Sequence, residues 1–481
     1  MGTGAGARVE CGVRRQGSEP APSPSCRLPL APAAALRLNR AVPRTDISRA
    51  AAPAPTLNAP PARRSPWAWI PTLYFAQGLP NALVASVSLV VYLNLGLSNA
   101  EAAFYTSWLY LPWVVKPLWS PVVDVLRTRR GWIWSMQFCV ATGLAGVALT
   151  IPTRFFLQLT LAFFWLMALE SATHDIAADG FYILANSERE QAFFSGVRNT
   201  CFNLARIAAQ GALVALAGKI KDRTASFAFA WSVAFGLVAG TYFCLALYHW
   251  LVLPHPAGDL PGPRGRGAVA LADFYRAFAS FFKKPGLQTA LSFLLLYRFG
   301  EAQLLKMVQP FLLAAREHGG LGLSNAEFGL VYGTGGVMAL VGGGLLGGVV
   351  VSRRGLRFWL WPMAFAMHLP DAVFVYLSHA QPRSLALVGA CVAVEQFGYG
   401  FGFAAYMLYM LYLARGSHQT AHYAICTGFM ALGLMVPGMW SGWLQQVLGY
   451  PAFFAWVLLA TIPGFLVTAL IKVEADFGRR G

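Results

Sequence analysis

The chain has 481 residues, 57% of them hydrophobic and only 12% charged, with a formal net charge of +17. A soluble domain carries about twice that charged fraction, and here the apolar residues fall in blocks long enough to cross a bilayer core, which takes about 20 residues. The composition excludes an ordinary soluble protein, and the basic excess fits the cytoplasmic loops of a membrane protein better than a nucleic-acid surface.

Residues 1–66 hold ten arginines, no lysine and three acidic residues among abundant Ala and Pro. Proline interrupts every helical pattern, so this stretch reads as a disordered basic tail, with an upstream extension from a misassigned start or a transit peptide as alternatives. Its most apolar run, Leu28 to Leu38, is broken by Pro29 and Pro32 and ends in arginines, unlike a cleaved signal. From Trp67 the pattern predicts twelve helices, at 67–94, 101–123, 131–151, 155–185, 191–217, 226–253, 287–314, 325–351, 356–378, 384–413, 420–446 and 452–472. The expected fold is all-α and integral to the membrane, with a six-helix bundle at 67–253, a linker at 254–286, a second bundle at 287–473 and a tail at 474–481. Lys and Arg number sixteen in the loops on the linker's side and six on the other, which places both termini in the cytoplasm. The loop carrying Lys219, Lys221 and Arg223 dissents from that count.

The two halves share a repeat. Leu95-Gly96-Leu97-Ser98-Asn99-Ala100-Glu101 recurs as Leu321-Gly322-Leu323-Ser324-Asn325-Ala326-Glu327, each time entering the second helix of a half. Arg129-Arg130-Gly131 matches Arg353-Arg354-Gly355, and Glu170 matches Glu395, at nearly the same offset. Ser-x-x-Glu is a capping box. Parallel six-helix repeats place a solute site between the halves near the midplane.

The seven cysteines form no CxxC pair and the histidines no metal-ligand spacing, so neither a metal nor a cofactor is expected. His174, His368 and His422 read as hydrogen-bonded residues. No GxxxxGK[ST] loop is present to power transport with a nucleotide.

Ionisable groups in a span cost a few kcal/mol each and need a partner or a job. Helix four carries Glu170, His174, Asp175 and Asp179; Glu170 and His174 share one face, Asp175 and Asp179 another about 140° away. Glu170 reads as proton carrier or solute contact at mid-depth, and Asp175 equally as proton carrier or structural latch. Asp124, Arg129, Arg130, Asp179 and Arg198 form a charge cluster at the cytoplasmic side. Helix five presents Asn199, Asn203, Arg206 and Gln210 in one stripe, and helix one Tyr74, Gln77, Asn81 and Ser88 in one arc, both suited to a cavity wall. Helix seven holds Arg298, Glu301, Lys306 and Gln309; Arg298 and Glu301 either neutralise each other at i,i+3 or leave Arg298 to an anion. Helix ten adds Glu395, Tyr399 and Tyr406. Glu170, Asp175, Glu301 and Glu395 are the proton-coupling candidates, with Na⁺ as the alternative ion, and Lys116 reads as snorkelling near a helix end.

The loop Ser120-Pro-Val-Val-Asp124-Val-Leu-Arg-Thr-Arg129-Arg130-Gly131 resembles the cytoplasmic loop motif of the major facilitator superfamily, with Ser120 in place of the usual Gly. Tyr74-Phe-Ala-Gln-Gly-Leu-Pro80, Lys116-Pro-Leu-Trp-Ser-Pro121 and Ser171-Ala-Thr-His-Asp175-Ile-Ala-Ala-Asp179-Gly180 resemble the AmpG-type muropeptide permeases and the related acetyl-CoA transporters. The resemblance covers nearly everything after residue 66. It implies a monomeric, proton-coupled symporter of the bacterial inner membrane, not an enzyme, importing a muropeptide-like or other anionic solute by alternating access. An acyl-CoA or organic-anion transporter of the same fold is the alternative, and a membrane-embedded acyltransferase a remote one.

Overall fold

The computed structural model describes residues 64–260, 267–416, 418–474 and 477–478. All belong to one compact unit, Pro60–Gly481; the other unit, Met1–Ala59, lies outside the described residues and with it most of the expected tail. Among the described residues every regular element is helical. Lipid offers no partner for an open backbone group, so a chain this apolar must satisfy its amides within each helix.

Nine stretches of the described residues are long and apolar enough to cross a membrane. Helices one, three, four, five and six are Pro66–Asn94, Arg129–Thr150, Phe156–Ala185, Gly196–Thr224 (beginning at Glu188) and Phe227–Val252. Helices eight, nine and ten are Asn325–Arg354, Leu356–Ala380 and Leu385–Ala414. The ninth stretch, Ala421–Leu470, turns at Gly449 (φ 73°, ψ 165°), where helix eleven gives way to helix twelve. Helix two is a broken pair, Asn99–Trp108 and Leu111–Leu126, and helix seven another, Leu287–Leu296 and Phe299–Leu313. The nine stretches thus hold ten segments, and the broken pairs of helices two and seven bring the described segments to twelve. The expected linker is not all loop: Gly267–Phe282 is a helix, pinned to helix eleven where the Ser280 hydroxyl meets His422 Nε2 at 2.9 Å.

Three helices widen into a π-helical turn: Leu83–Val87 in helix one, Ala208–Leu213 in helix five and Gly329–Gly336 near the start of helix eight. Such turns re-aim the side chains that follow and concentrate at functional sites. In helix one the shift takes Ser88 out of the expected polar arc; it is buried and donates to the Val84 carbonyl at 2.6 Å.

The repeated segment is explained residue by residue. Gly96 and Gly322 both take a positive φ, 93° and 67°, which only glycine adopts without cost. Ser98 and Ser324 each close a full capping box with Glu101 and Glu327. The two asparagines reach across to the other half. Asn99 donates to Gln445 Oε1 at 2.7 Å and Tyr450 Oη at 2.9 Å, and Asn325 donates to Asn94 Oδ1 at 2.6 Å. Trp231 Nε1 donates to the same Asn94 oxygen at 3.1 Å. Helix two packs along eleven and helix five along eight. Glycine makes these contacts close: a Cβ at Gly442 would stand 2.1 Å from the Asn99 carbonyl oxygen, and one at Gly333 2.2 Å from that of Gln210.

Ser98→Ala and Ser324→Ala are each expected to cost about 1 kcal/mol, and the double variant the sum, because the boxes share no partner. Equilibrium unfolding in mild detergent checks this; a clearly non-additive double variant would mean that the boxes act through the contact between halves.

Candidate functional site

A cavity of ≈ 380 Å³ lies between the two sets of six helices. Each π-helical turn supplies part of its wall: Ala85 and Ser86 from helix one, Gln210 from helix five, Tyr332 from helix eight. Of the residues expected to line a cavity, Asn81, Arg206, Gln210, Arg298, Gln309 and Tyr399 do so, and Asp175 joins them. Tyr74, Gln77, Asn199, Asn203 and Tyr406 stand outside the wall. Tyr74 donates to Asp179 Oδ1 at 3.2 Å, Tyr406 donates to the Leu294 carbonyl at 2.6 Å, and Asn203 donates to Asn199 Oδ1 at 3.2 Å. Gln77 is buried in helix one.

The wall carries four basic side chains, Lys116, Arg206, Arg298 and Lys306, against one carboxylate, Asp175, a formal excess of three positive charges. Lys116 was expected to snorkel. The break before Leu111 restarts helix two, so Lys116 sits inside the segment and its Nζ lies 3.8 Å from Asp175 Oδ2. The same oxygen accepts from Trp113 Nε1 at 3.3 Å. Among the described residues no carboxylate lies within ion-pair distance of Arg206, Arg298 or Lys306. Arg298 and Glu301 therefore form no direct ion pair. Arg298 caps the second segment of helix seven, donates to the Tyr399 hydroxyl, and lies 4.9 Å from the Phe403 ring and 5.2 Å from that of Tyr399. Lys306, expected only as a helix-seven residue, is buried; its Nζ donates to Thr106 of helix two at 3.0 Å and lies 5.2 Å from the Tyr110 ring. Cation–π contacts of this kind hold a cation without cancelling its charge.

Glu170 lies off the cavity, half-buried, with Oε2 unpartnered and turned toward Gly143 of helix three. Glu170 therefore meets no solute in this cavity: Asp175 takes the cavity face of helix four, and the face of Glu170 and His174 turns to helices three and six. There a buried chain runs from His174 Nε2 to Gln137 at 2.9 Å, from Gln137 to His249 Nδ1 at 2.8 Å, and from His249 Nε2 to Thr72 at 3.0 Å. His368, by contrast, has neither ring nitrogen bonded.

The expected charge cluster divides into two. Asp179 pairs with Arg198, whose guanidinium lies 4.2 Å from the rings of both Tyr74 and Tyr182. Arg129 and Arg130 give their backbone amides to the Asp259 carboxylate at 2.7 and 3.0 Å, capping helix three. The Asp124 side chain lies outside those described.

Glu301 and Glu395 also stand off the cavity, and they come together with Asp371. One oxygen from each lies within 4.8 Å of the others. All three residues are buried, and neither oxygen of Glu301 or Asp371 has a hydrogen-bond partner. Gln396, which lines the cavity, donates to both oxygens of Glu395 at 3.0 and 3.3 Å. Asp371 was not singled out from the sequence. Its signal was there: it is the sole acid of helix nine, directly after Pro370.

The family model of the Major Facilitator Superfamily matches residues 70–436. The anhydromuropeptide permease of Escherichia coli (strain K12) is 24% identical over 85% of this chain and 80% of its own. A putative transporter AmpG 4 of Rickettsia conorii is 22% identical over 84% and 96%. In fold, the chain is similar to the inward-open xylose transporter XylE of E. coli, with a TM-score of 0.62 at 11% identity over 86% of this chain and 97% of that one.

Lys306→Met is expected to leave the unfolding temperature of the solute-free protein equal or higher, because it removes a buried cation that no carboxylate offsets. Thermal unfolding in nanodiscs reads this. A drop of about 5 °C or more would show that Lys306 is held by its surroundings rather than strained in them.

Proposed function

The chain belongs to the Major Facilitator Superfamily, and we propose that it imports an anionic, hydrogen-bond-rich solute, an anhydro-muropeptide or related sugar-peptide, together with protons, by alternating access. The observation that carries the reading is the formal excess of three positive charges on the cavity wall. A cavity that holds Arg206, Arg298 and Lys306 without carboxylate partners is costly when empty and favourable when an anion enters. Asn81, Gln210, Gln309 and Gln396 add amides that can both donate and accept, which suits sugar hydroxyls and peptide bonds. The likeness to the E. coli permease supports the same solute class.

Proton carriage falls to Asp175, which faces the solute and is held by Lys116, and to Glu170, whose Oε2 is unpartnered. The charge count of the loops supports cytoplasmic termini in an inner membrane, and a wall built from one chain supports action as a monomer. Alternating access then requires the asparagine contacts between the halves to break, because they close the face that carries both repeats.

In proteoliposomes, uptake of a labelled anhydro-muropeptide is expected to follow an imposed proton gradient and to stop with an uncoupler. Arg298→Gln and Arg206→Gln should each lower it at least tenfold, as the loss of one charged contact does. Uptake by Glu170→Gln that stays sensitive to the gradient would remove Glu170 from the coupling. Acetyl-CoA displacing the muropeptide at equal or lower concentration would shift the solute to the acyl-CoA class.

A second expectation concerns the conformational cycle. Asn99→Ala with Asn325→Ala should raise the labelling of a cysteine placed at Ser86, approached from the repeat face by a membrane-impermeant maleimide. Unchanged labelling would mean that the asparagines do not bias the closed face.

A further inference from the structure

The carboxylates of Glu301, Asp371 and Glu395 have no place in the solute cavity, and no cation offsets them by direct contact. They come from helices seven, nine and ten, and each is 1% exposed or less. Three carboxyl groups buried in apolar surroundings cannot all stay ionised unless something positive enters. Two kinds of occupant answer that need: protons on the carboxyls, or a cation held among them.

Neither oxygen of Glu301 nor of Asp371 has a hydrogen-bond partner, so both groups are open to a ligand. The three oxygens converge, all within 4.8 Å of one another. An ion bound by oxygens at about 2.4 Å spans ligands up to about 4.8 Å apart. Oxygens that converge to this degree suit a hard cation at the centre. Two further features point inward to such a site. The unpartnered oxygens of Glu301 and Asp371 are buried and free to ligate, and Gln396 fixes Glu395 through both its oxygens. Amide support of this kind is how the shell outside a metal orients a ligand.

We propose that Glu301, Asp371 and Glu395 form a binding site for a hard, oxygen-ligated metal cation in the second half, directly behind the cavity wall. All-carboxylate donors select Na⁺, Ca²⁺ or Mg²⁺ over metals that prefer nitrogen or sulfur. Arg298, one turn before Glu301 on helix seven, is the charged residue of the wall that feels the occupancy of this site most directly. The role of the site in a transport cycle rests on the proposed function above; the binding of the cation does not.

The test uses the full chain in nanodiscs, without solute. Thermal unfolding is followed in choline chloride at constant ionic strength while NaCl, CaCl₂ or MgCl₂ replaces it. One of the three salts is expected to raise the unfolding temperature saturably, as a ligand bound only to the folded state does. Asp371→Asn and Glu395→Gln should weaken the apparent affinity at least about tenfold, whereas Glu474→Gln, an exposed carboxylate, should not. Both core variants should unfold in choline chloride no earlier than the wild type, since each removes a buried like charge; if one unfolds earlier, direct binding of ²²Na⁺ or ⁴⁵Ca²⁺ to the wild type decides in its place. The proposal is overturned if no salt gives a saturable shift or bound label, or if the variants respond as the wild type does. A muropeptide that fails to bind or move would sink the transport reading and leave this result untouched.

Discussion

The break in helix seven at Tyr297 and Arg298 sets charges of opposite sign on opposite sides of one wall. In a continuous helix, Arg298 and Glu301 would lie on the same face and pair at i,i+3. Because Arg298 instead caps the second segment, its guanidinium turns onto the rings of Tyr399 and Phe403 while Glu301 points away toward Asp371 and Glu395. A direct pair would have neutralised both groups and left the membrane interior quiet. Their separation leaves a cationic cavity on one side and a pocket of buried carboxyls on the other. Each side has an unmet electrostatic demand in a medium that screens poorly.

Duplication supplies the frame in which that separation matters. The repeated Leu-Gly-Leu-Ser-Asn-Ala-Glu does three jobs in each copy: glycine makes the turn, Ser and Glu start the helix, and Asn crosses to the other half. The first two jobs are local and any helix entrance could share them. The third is not, because it needs a partner half of the same build. Asn99 sits on Gly442 and Asn325 on Gly218, so the two contacts are related as the halves are. Both act at one face only, which makes it possible for that face to part while the helices themselves stay intact.

Much of this was legible in the sequence. The apolar blocks, the repeat and the capping boxes rest on local rules, and the structure bears them out. The cavity cations Arg206 and Arg298 could be found because helical spacing fixes which residues share a face. What could not be read has a common cause. Spacing at 100° per residue fails where a helix breaks or widens, and this chain does so in helices one, two, five, seven and eight. Lys116 looked terminal because the break before Leu111 is invisible in hydropathy, and Ser88 left its arc because a π-helical turn precedes it. Asp371 was missed for a different reason: its partners are 70 and 24 residues away on other helices, and no local pattern announces a meeting of three spans.

The two sides of the wall need not act independently. Glu301 attracts Arg298 through the short distance that separates them on helix seven. A cation seated among Glu301, Asp371 and Glu395 cancels that attraction and leaves more of the field of Arg298 directed into the cavity. An anion in the cavity, in turn, offsets the positive field that opposes a cation behind the wall. Each occupant therefore favours the other, and by linkage the two effects are equal in free energy. Coupling of this kind requires no movement of Arg298 and no contact between the two ligands. It requires only that one residue stand between opposite charges without pairing to either, which is the position that the break in helix seven gives it.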